Sequence, residues 1–260
     1  MTAMRIAAIQ LEVTDSEPPA ERVLRTADLV RAQPDVDLVV LPELWVSGAF
    51  AYPRWAQTAE ALDGPTVDAM AVAARDVGAY VHMGSFIERD GADLYNTSVL
   101  LGSDGGIEVA YRKIHLFGFG EGEPTLLTAG KEIVVADVRG TAVGLSTCYD
   151  LRFPELYRAL LDAGSEVVLC VAGWPAARIE HWSILARARA IENQVVMVAL
   201  NTAGTHAGKQ MGGRSVVVDA RGAVLAEAAT SEDVLTVDIN VPDIHQWRTR
   251  FPVLADRRLG

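Results

Sequence analysis

The segment from Ala142 to Tyr157 constrains the fold of this chain more than any other. Its first five residues, AVGLS, form a short apolar run typical of a buried strand, and Cys148 follows closely. Pro154 then opens a helical pattern, because the missing N–H of proline costs nothing at a first helical position. Cys148 therefore lies where a strand ends and a helix is about to begin. Side chains at such a point project into a crevice, where the N–H groups of a helix start stabilise negative charge.

These surroundings are expected to favour the thiolate of Cys148, which is the reactive form of cysteine. A lone cysteine is nevertheless more often a small buried hydrophobe, so its role depends on what the rest of the chain supplies. Cys170, the second cysteine, lies within the apolar run 166–171 and is interpreted as core packing. Two cysteines make a disulfide framework implausible and suit a reducing compartment, which predicts a cytoplasmic protein.

The composition excludes several classes of protein. Half of the 260 residues are apolar, which is enough for a substantial core, and glycine and proline are spread out, so no linker is expected. The net charge of −11 argues against a nucleic-acid partner, which needs basic patches, and against anionic membrane surfaces. No signal-peptide pattern and no membrane-spanning run are present in the sequence. The sequon Asn96-Thr97-Ser98 is therefore expected to be idle.

The remaining apolar patterns predict a layered arrangement of strands and helices. Strands alternate with helices early in the chain and pair as hairpins in the middle, so mixed sheets are expected. About a dozen strands and four or five helices suggest two sheets with helices outside, an α/β architecture. Strands are predicted at 6–11, 37–43, 79–87, 94–101, 107–113, 133–138, 142–146, 166–171, 195–200, 215–219 and 234–239, and helices at 20–31, 66–77, from 154 and at 178–193, with a short one near Trp55 and a basic tail at the end.

Two further polar residues end apolar strands. Glu43 lies among apolar neighbours that reduce its hydration, and Lys113 precedes a glycine-rich loop at 118–124. Taken singly, each is most simply a solvated residue. Because the ends of parallel strands meet in one crevice, Glu43, Lys113 and Cys148 are expected to converge. A carboxylate that takes the thiol proton, a thiolate that attacks a carbonyl and an ammonium that stabilises the oxyanion would suffice for acyl transfer.

At these residues the chain resembles a known family. LPELWVSG, YRKIHLFG and TCYDLRFPELYR are similar, in this order and spacing, to the three signature segments of the nitrilase superfamily of carbon–nitrogen hydrolases. The similarity continues through GWPAARIEHWSILARARAIENQ and VVVDARGAVL, so it covers nearly the whole chain and implies a single domain over residues 1–260. The resemblance further implies a four-layer α-β-β-α sandwich that dimerises, or assembles further, through its helices.

The resemblance also implies roles for individual residues. Glu43 is the general base, Lys113 the oxyanion-stabilising cation and Cys148 the nucleophile, and the backbone N–H of Tyr149 completes the oxyanion hole. The substrate is a small amide, which is hydrolysed through a thioester on Cys148 with release of ammonia. No metal or organic cofactor is implied.

A second glutamate between the lysine and the cysteine is part of the same pattern. Glu121 is the first choice and Glu123 the reserve, because the spacing of the loop does not separate them. A solvated acidic turn is the alternative interpretation of Glu121.

CYDLRFPELYR and ARAIENQ are most similar to the branch of ω-amidases and related small-amide hydrolases. Arg152 and Arg178 are candidates to bind a substrate carboxylate, and Trp174 and Phe119 are candidates to line an apolar pocket. Where that branch often has Asn-Arg, this chain has Asn201-Thr202. We predict an amidase for a small linear amide, with an N-carbamoyl amide hydrolase or a nitrilase that uses the same triad as the alternative.

Other interpretations stay open at this point. His115 is two residues from Lys113, so on a strand both would face one side and a Cys–His pair is conceivable. Arg152 is as well suited to an ion pair with Glu155 as to a ligand, and the scaffold could serve a non-catalytic interaction protein. The glycine-rich segments at 118–120 and 204–209 lack the features of nucleotide-binding loops, and the cysteines and histidines show no zinc spacing.

Overall fold

A computed structural model describes residues 3–259 and arranges them around two six-stranded β-sheets and one short hairpin. The first sheet contains β1 (Met4–Gln10), β2 (Leu38–Val40), β3 (Tyr80–Asp90), β4 (Asp93–Leu101), β5 (Ile107–Arg112) and β14 (Asp233–Ile239). The second contains β6 (Val135–Val138), β7 (Thr141–Thr147), β8 (Val167–Val171), β9 (Val196–Leu200), β12 (Val216–Val218) and β13 (Val224–Glu227). The hairpin pairs β10 (Thr205–His206) with β11 (Lys209–Gln210).

The described part of the chain contains seven α-helices, six between strands and one after the last strand. They are α1 (Pro19–Arg31), α2 (Tyr52–Thr58), α3 (Pro65–Val77), α4 (Glu123–Leu126), α5 (Pro154–Asp162), α6 (Ile179–Asn193) and α7 (Val241–Arg250). Proline occupies the first position of α1, α3 and α5, where a helix needs no N–H from it. Of the helices formed by residues 3–259, none is both long enough and apolar enough to cross a membrane.

The two sheets pack face to face, and helices cover both outer faces. Neighbouring residues of β1 point in opposite directions, so Ile6 enters the core between the sheets while Ala7 packs outward. The outer face of the first sheet packs against α1 and α3. The outer face of the second packs against α5 and α6, through residues such as Leu160 and Trp182. The predicted α/β fold, a four-layer α-β-β-α sandwich, is confirmed.

The strand directions bring the candidate residues to one end of the sandwich. β1, β2 and β3 are parallel, and β4 is antiparallel to both β3 and β5, so β5 runs in the direction of β3. Glu43 and Lys113, which follow β2 and β5, therefore leave the first sheet at the same edge. Cys148 follows β7, which is parallel to β8 and β9 in the second sheet.

β2 is shorter than the sequence predicts, since it ends at Val40 instead of continuing to Glu43. The chain turns away at Pro42, which has no N–H for a ladder bond. Gly84 on β3 makes this turn possible, because a Cβ there would lie 1.9 Å from the carbonyl oxygen of Pro42. Its φ of +67° is also one that glycine adopts without strain. The early end of β2 leaves Glu43 on a loop that enters the interior.

The C-terminal region also differs from the prediction. The segment predicted as a basic tail forms α7, and Arg248 on this helix donates hydrogen bonds to the carbonyl oxygens of Gln194 and Ser165. Tertiary contacts therefore order a segment whose polar composition gave no helical periodicity. The short elements β10, β11, β13 and α4 are also absent from the sequence-based prediction.

Candidate active site

Glu43 lies at the centre of the polar cluster between the sheets. Its side chain is 2% exposed, and three donors surround its carboxylate. Lys113 Nζ and Asn96 Nδ2 each donate to Oε1 at 2.8 Å, and the backbone N–H of Gly173 donates to Oε2 at 2.8 Å. A buried carboxylate needs such partners, since an isolated charge would be strongly destabilising. Glu43 is therefore held as a fixed hydrogen-bond acceptor.

The loop that carries Glu43 is itself firmly anchored. The buried guanidinium of Arg22 donates to the carbonyl oxygens of Trp45 and Val46, each at 3.0 Å. The N–H of Leu44, a residue with a positive φ of +46°, donates to Ser85 Oγ at 3.1 Å. These bonds fix a strained backbone and with it the direction of the carboxylate.

Lys113 follows β5 directly and its side chain is 1% exposed. Its ammonium contacts Glu43 Oε1 at 2.8 Å and Glu123 Oε1 at 2.9 Å. Burial alone would lower the pKa of Lys113, but the two carboxylates reverse this effect and raise the pKa well above its usual value. The ammonium is therefore charged. It has three N–H donors, so one remains after the two carboxylates are served.

Glu123, and not Glu121, contacts the lysine. Glu123 begins α4, is buried, and its second carboxylate oxygen accepts a hydrogen bond from the backbone N–H of Phe117 at 2.5 Å. Glu121 is exposed, and its loop is so tight that a Cβ on Gly118 would lie only 1.9 Å from the carbonyl oxygen of Glu121. The first choice from the sequence is thus replaced by the reserve. Burial and the charge of Glu43 raise the pKa of Glu123, although Lys113 opposes this rise.

Cys148 begins a 3-10 turn, Cys148–Arg152, directly after β7. Its φ of +48° is unusual for a residue with a Cβ and indicates local strain. The buried carboxylate of Asp150 holds this turn, since it accepts hydrogen bonds from the N–H of Thr147 at 2.9 Å and from the hydroxyl of Tyr111 at 2.6 Å. The sharp change from strand to turn leaves Cys148 on the wall of a pocket that Glu43 also lines.

The surroundings of Cys148 disfavour the thiolate, contrary to the expectation from the sequence. Burial and the negative charge of Glu43 raise the pKa of the thiol well above its usual value, while Lys113 acts in the opposite direction. The charge of Glu123 adds to the rise. The resting thiol is therefore protonated, and a carboxylate lies beside it to accept the proton.

The backbone after Cys148 presents a hydrogen-bond donor to the same pocket. Tyr149 is the second residue of the 3-10 turn and lines the pocket. An N–H at this position has no acceptor within its own helical turn. The N–H of Tyr149 and the remaining N–H of Lys113 are thus two donors that a developing oxyanion could use.

His115 is held away from this arrangement. Its Nδ1 lies 2.7 Å from Asp150 Oδ1, and its ring stacks on Phe153 at a centroid distance of 3.7 Å. Within the described residues, the set that lines the pocket beside Cys148 does not include His115. The geometry thus gives no support to a Cys–His pair.

The pocket has an empty volume of about 390 Å³, including its open mouth. Phe119, predicted to line it, is 82% exposed and instead contacts the edge of the Phe117 ring at a centroid distance of 5.9 Å. Trp174 does line the pocket, as predicted. The aromatic lining that sequence reasoning missed consists of Phe50, Tyr52 and Phe117.

Two arginines line the pocket without a carboxylate partner. The guanidinium carbon of Arg152 lies 4.7 Å from the centroid of the Trp174 ring, and that of Arg178 lies 5.3 Å from the centroid of the Phe117 ring. Among residues 3–259 no carboxylate pairs with either guanidinium, so the conceivable ion pair between Arg152 and Glu155 is not observed. Burial and the nearby charge of Arg178 lower the pKa of Arg152. Both side chains therefore remain available to an anionic ligand.

Sequence reasoning missed two residues that contact Glu43. Asn96 lies in β4, where a polar side chain inside an apolar strand was the available signal. Gly173 follows β8 and contributes only its backbone N–H, which no side-chain pattern reveals. Within residues 3–259 no group of three or more histidine, cysteine or acidic residues is arranged to hold a metal ion.

Comparisons with known proteins agree with this geometry. The sequence profile of the carbon-nitrogen hydrolase family matches residues 5–249. The 2-oxoglutaramate amidase of Paenarthrobacter nicotinovorans is 43% identical over 97% of this chain and 89% of its own length, and the mouse omega-amidase NIT2 is 32% identical over 99% and 96%. The crystal structure of XC1258 from Xanthomonas campestris, described as a CN-hydrolase superfamily protein with an arsenic adduct in the active site, superimposes with a TM-score of 0.93 at 32% identity, covering 100% of this chain and 99% of that one.

Proposed function

The chain belongs to the carbon-nitrogen hydrolase family and is a hydrolase of carbon–nitrogen bonds, and on this basis we propose that it is an amidase of the ω-amidase type. Its substrate is a small linear amide with a carboxylate at the far end, of which 2-oxoglutaramate is an example. The products are the corresponding acid and ammonia.

The observation that carries this proposal is the pair of arginines in the pocket that contains Cys148. Among residues 3–259 neither pairs with a carboxylate, although Arg152 Nη2 lies 3.3 Å from His181 Nδ1. Burial and then the charge of Arg178 lower the pKa of Arg152, so an anion between the two guanidinium groups would relieve their repulsion. A guanidinium binds a carboxylate through two parallel hydrogen bonds. Aromatic rings beneath both guanidinium groups restrict their movement. This arrangement supports a dicarboxylate-like substrate with one carboxylate replaced by an amide.

Position 201–202, where related enzymes often have Asn-Arg, does not supply a third cation here. Asn201 is instead a structural residue, whose side chain accepts the N–H of Trp174 at 2.6 Å and donates to the carbonyl oxygen of Gly213 at 2.8 Å. Thr202 is buried and its hydroxyl has no hydrogen-bond partner in the described part of the chain. The proposal therefore assigns carboxylate binding to Arg152 and Arg178 alone.

In the first half of the reaction, Glu43 accepts the thiol proton of Cys148 as sulfur attacks the amide carbonyl. A carbon–sulfur bond forms and the carbonyl oxygen becomes an oxyanion, which the third N–H of Lys113 and the N–H of Tyr149 stabilise. Collapse of this intermediate breaks the carbon–nitrogen bond, and the protonated Glu43 transfers its proton to the departing ammonia. A thioester on Cys148 remains.

In the second half, water attacks the thioester and Glu43 again accepts a proton. The carbon–sulfur bond breaks, the proton returns to the sulfur of Cys148, and the acid leaves. The high pKa of the free thiol suits this cycle, because the nucleophile is activated only when Glu43 is ionised and in place. Glu123 has no covalent role; it neutralises Lys113 together with Glu43 and fixes the ammonium.

We also propose an assembly and a compartment for this chain. We treat residues 1–260 as one domain that forms a homodimer through the α5–α6 layer. Ile184 and Ile191 on α6 support this surface, since they are 64% and 50% exposed despite being large and apolar. Cys148 and Cys170 are both free thiols, which supports a reducing, cytoplasmic setting.

The test is ammonia release from 2-oxoglutaramate beside a neutral aliphatic amide, an N-carbamoyl amino acid and a nitrile. We expect the carboxylated amide to be preferred and Cys148→Ala to abolish turnover. Cys170→Ala is the matched control, because it removes the other thiol at a buried position on the outer face of β8. Turnover of only the carbamoyl compound or the nitrile would contradict the substrate class and leave the triad intact. Turnover by Cys148→Ala would contradict the mechanism itself.

A further inference from the structure

Asn96 forms a bridge between the two glutamates of the site. Its side chain is 1% exposed, and its Nδ2 donates to Glu43 Oε1 at 2.8 Å and to Glu123 Oε1 at 3.2 Å. The same two oxygens accept the ammonium of Lys113 at 2.8 and 2.9 Å. Two carboxylate oxygens, one ammonium and one amide thus form a closed ring of hydrogen bonds. Asn96 is the member of this ring that carries no charge.

The ring holds two like charges close together. Lys113 supplies one positive charge for two carboxylates, and burial together with the charge of Glu43 raises the pKa of Glu123. The amide of Asn96 compensates part of this repulsion with two N–H dipoles, which do not titrate. The amide compensates this repulsion only while Nδ2 faces the carboxylates. If the amide were turned over, both carboxylates would repel Oδ1.

The carbonyl oxygen of the Asn96 amide indicates that this bridge does more than fill space. Asn96 Oδ1 is buried and has no hydrogen-bond partner within residues 3–259. A buried carbonyl without a partner is unfavourable, so the amide lowers stability at one end while it organises the site at the other. An apolar side chain of the same size would avoid that cost. The donors on Nδ2 serve the two buried carboxylates, so the reason for an asparagine at this position lies in the site.

The neighbours of Asn96 extend the same pattern along β4. The backbone carbonyl of Asn96 accepts the N–H of Lys113 at 2.9 Å. Ser98 Oγ lies 3.1 Å from Thr147 Oγ1, directly before the nucleophile, and both side chains are buried. The triplet Asn96-Thr97-Ser98 reads as a glycosylation sequon, but all three of its side chains are buried between strands. Asn96 and Ser98 connect the base and the ammonium with the nucleophile strand, whereas Thr97 donates to Glu88.

We propose that Asn96 is a positioning residue that sets the protonation of the Glu43–Glu123 pair and the direction of the Glu43 carboxylate, an inference that rests on the proposed function. Asn96 does not itself line the pocket, so it acts through Glu43. The titratable groups that face this pair are Lys113 after β5, Cys148 after β7 and Tyr52 on α2. When the amide is removed, the pair binds a proton at higher pH and the base is neutralised over part of the working range.

Asn96→Leu tests this proposal, because leucine keeps the volume and removes both N–H donors. We expect kcat to fall by about 100-fold with KM changed only slightly, since the substrate contacts remain. The acidic limb of the pH profile of kcat/KM should shift upward by about one pH unit. Thr97→Val is the matched control, as it removes the hydroxyl that donates to Glu88 Oε2 at 2.5 Å from the same strand. Its acidic limb should remain that of the wild type.

A second readout needs no substrate. The rate at which iodoacetamide alkylates Cys148, followed by mass spectrometry against pH, should show the same upward shift in Asn96→Leu. If the wild type hydrolyses no amide but the alkylation profile shifts, the proposed function fails and the role of Asn96 stands. The inference is overturned if Asn96→Leu folds and both the acidic limb of its pH profile and its alkylation profile remain those of the wild type. If Asn96→Leu does not fold, Asn96→Ser supplies both measurements with a smaller polar side chain.

Discussion

Lys113 and Glu43 are 70 residues apart in the chain and form an ion pair of 2.8 Å whose side chains are 1% and 2% exposed. A pair so completely buried is stabilising only when the surrounding groups satisfy the remaining donors and acceptors. Here Asn96, Gly173 and Glu123 do so. The pair therefore couples the stability of the fold to the integrity of the site.

Lys113→Met should destabilise the protein strongly, because it leaves the carboxylates of Glu43 and Glu123 buried without a counter-charge. We expect the free energy of unfolding to fall by about 3–5 kcal/mol in urea titrations at neutral pH. The double variant Lys113→Met, Glu123→Gln should recover part of this loss, since it removes one of the two unpaired charges. No recovery in the double variant would contradict the charge balance described here.

Glu123→Gln and Glu121→Gln form a matched pair that tests the second glutamate. Glu123→Gln loses a charge in contact with Lys113, so kcat should fall by about 100-fold. Glu121→Gln changes only an exposed side chain, and its kcat should stay within about twofold of the wild type. The reverse order of effects would restore the assignment that the sequence favoured.

Arg178→Gln and Arg152→Gln should each raise KM for a carboxylated amide by about 10-fold to 100-fold, because a charge-assisted hydrogen-bond pair is lost. KM for a neutral amide should hardly change. Arg221→Gln is the matched control, since this arginine lies over Trp247, outside the pocket. Equal effects on both amides would show that the arginines do not select a carboxylate.

His115→Ala should be far milder than Glu43→Gln. His115 is bound to Asp150 and stacked on Phe153, so its loss affects packing beside the 3-10 turn. Removing the base should cost at least about 1,000-fold in kcat. Steady-state rates of both variants on the same amide make the comparison, and equally large losses would revive the Cys–His alternative.

His82→Leu should flatten the dependence of stability on acid pH. His82 is fully buried, both of its ring nitrogens lack partners among residues 3–259, and burial lowers its pKa to about 4. The unfolded chain binds this proton near pH 6.5, so between pH 6.5 and 4 the unfolded state binds more protons and stability falls as the pH falls. His82 should account for about 2 kcal/mol of lost stability between pH 7.5 and 5. Urea titrations at both pH values should show this loss in the wild type and not in His82→Leu.

The sequence predicts most strands of the layers well. A strand buried on both faces gives a continuous apolar run, and a strand buried on one face gives alternating apolar and polar residues. Continuous apolar runs such as 195–200 and period-two runs such as 234–239 each have one straightforward interpretation. The meeting of Glu43, Lys113 and Cys148 also follows from strand ends that share one edge. These features depend on local pattern and on general rules of sheet topology.

The remaining site depends on contacts that local pattern does not encode. Glu121 and Glu123 are two residues apart in one polar loop, and only Glu123 reaches the ammonium of Lys113 and the N–H of Phe117, which no local pattern encodes. Phe117 and Phe119 are likewise two residues apart in this loop, and Phe117 lines the pocket while Phe119 is exposed. The pKa of Cys148 is raised by burial and by two carboxylates on other elements. The residues around Cys148 in the sequence therefore could not reveal the direction of this pKa shift.

The buried triplet of β4 has a consequence for how the protein is produced. The triplet Asn96-Thr97-Ser98 is an acceptor sequence for N-glycosylation, which attaches a bulky group that belongs on a surface. A glycan on Asn96 would then have no room between the sheets, where this side chain is 1% exposed. Secretion through a glycosylating host should therefore yield misfolded protein, whereas expression in a compartment without that machinery should not. Asn96, which completes the hydrogen-bond ring of the site, thus also limits the hosts and compartments in which the chain can be expected to fold.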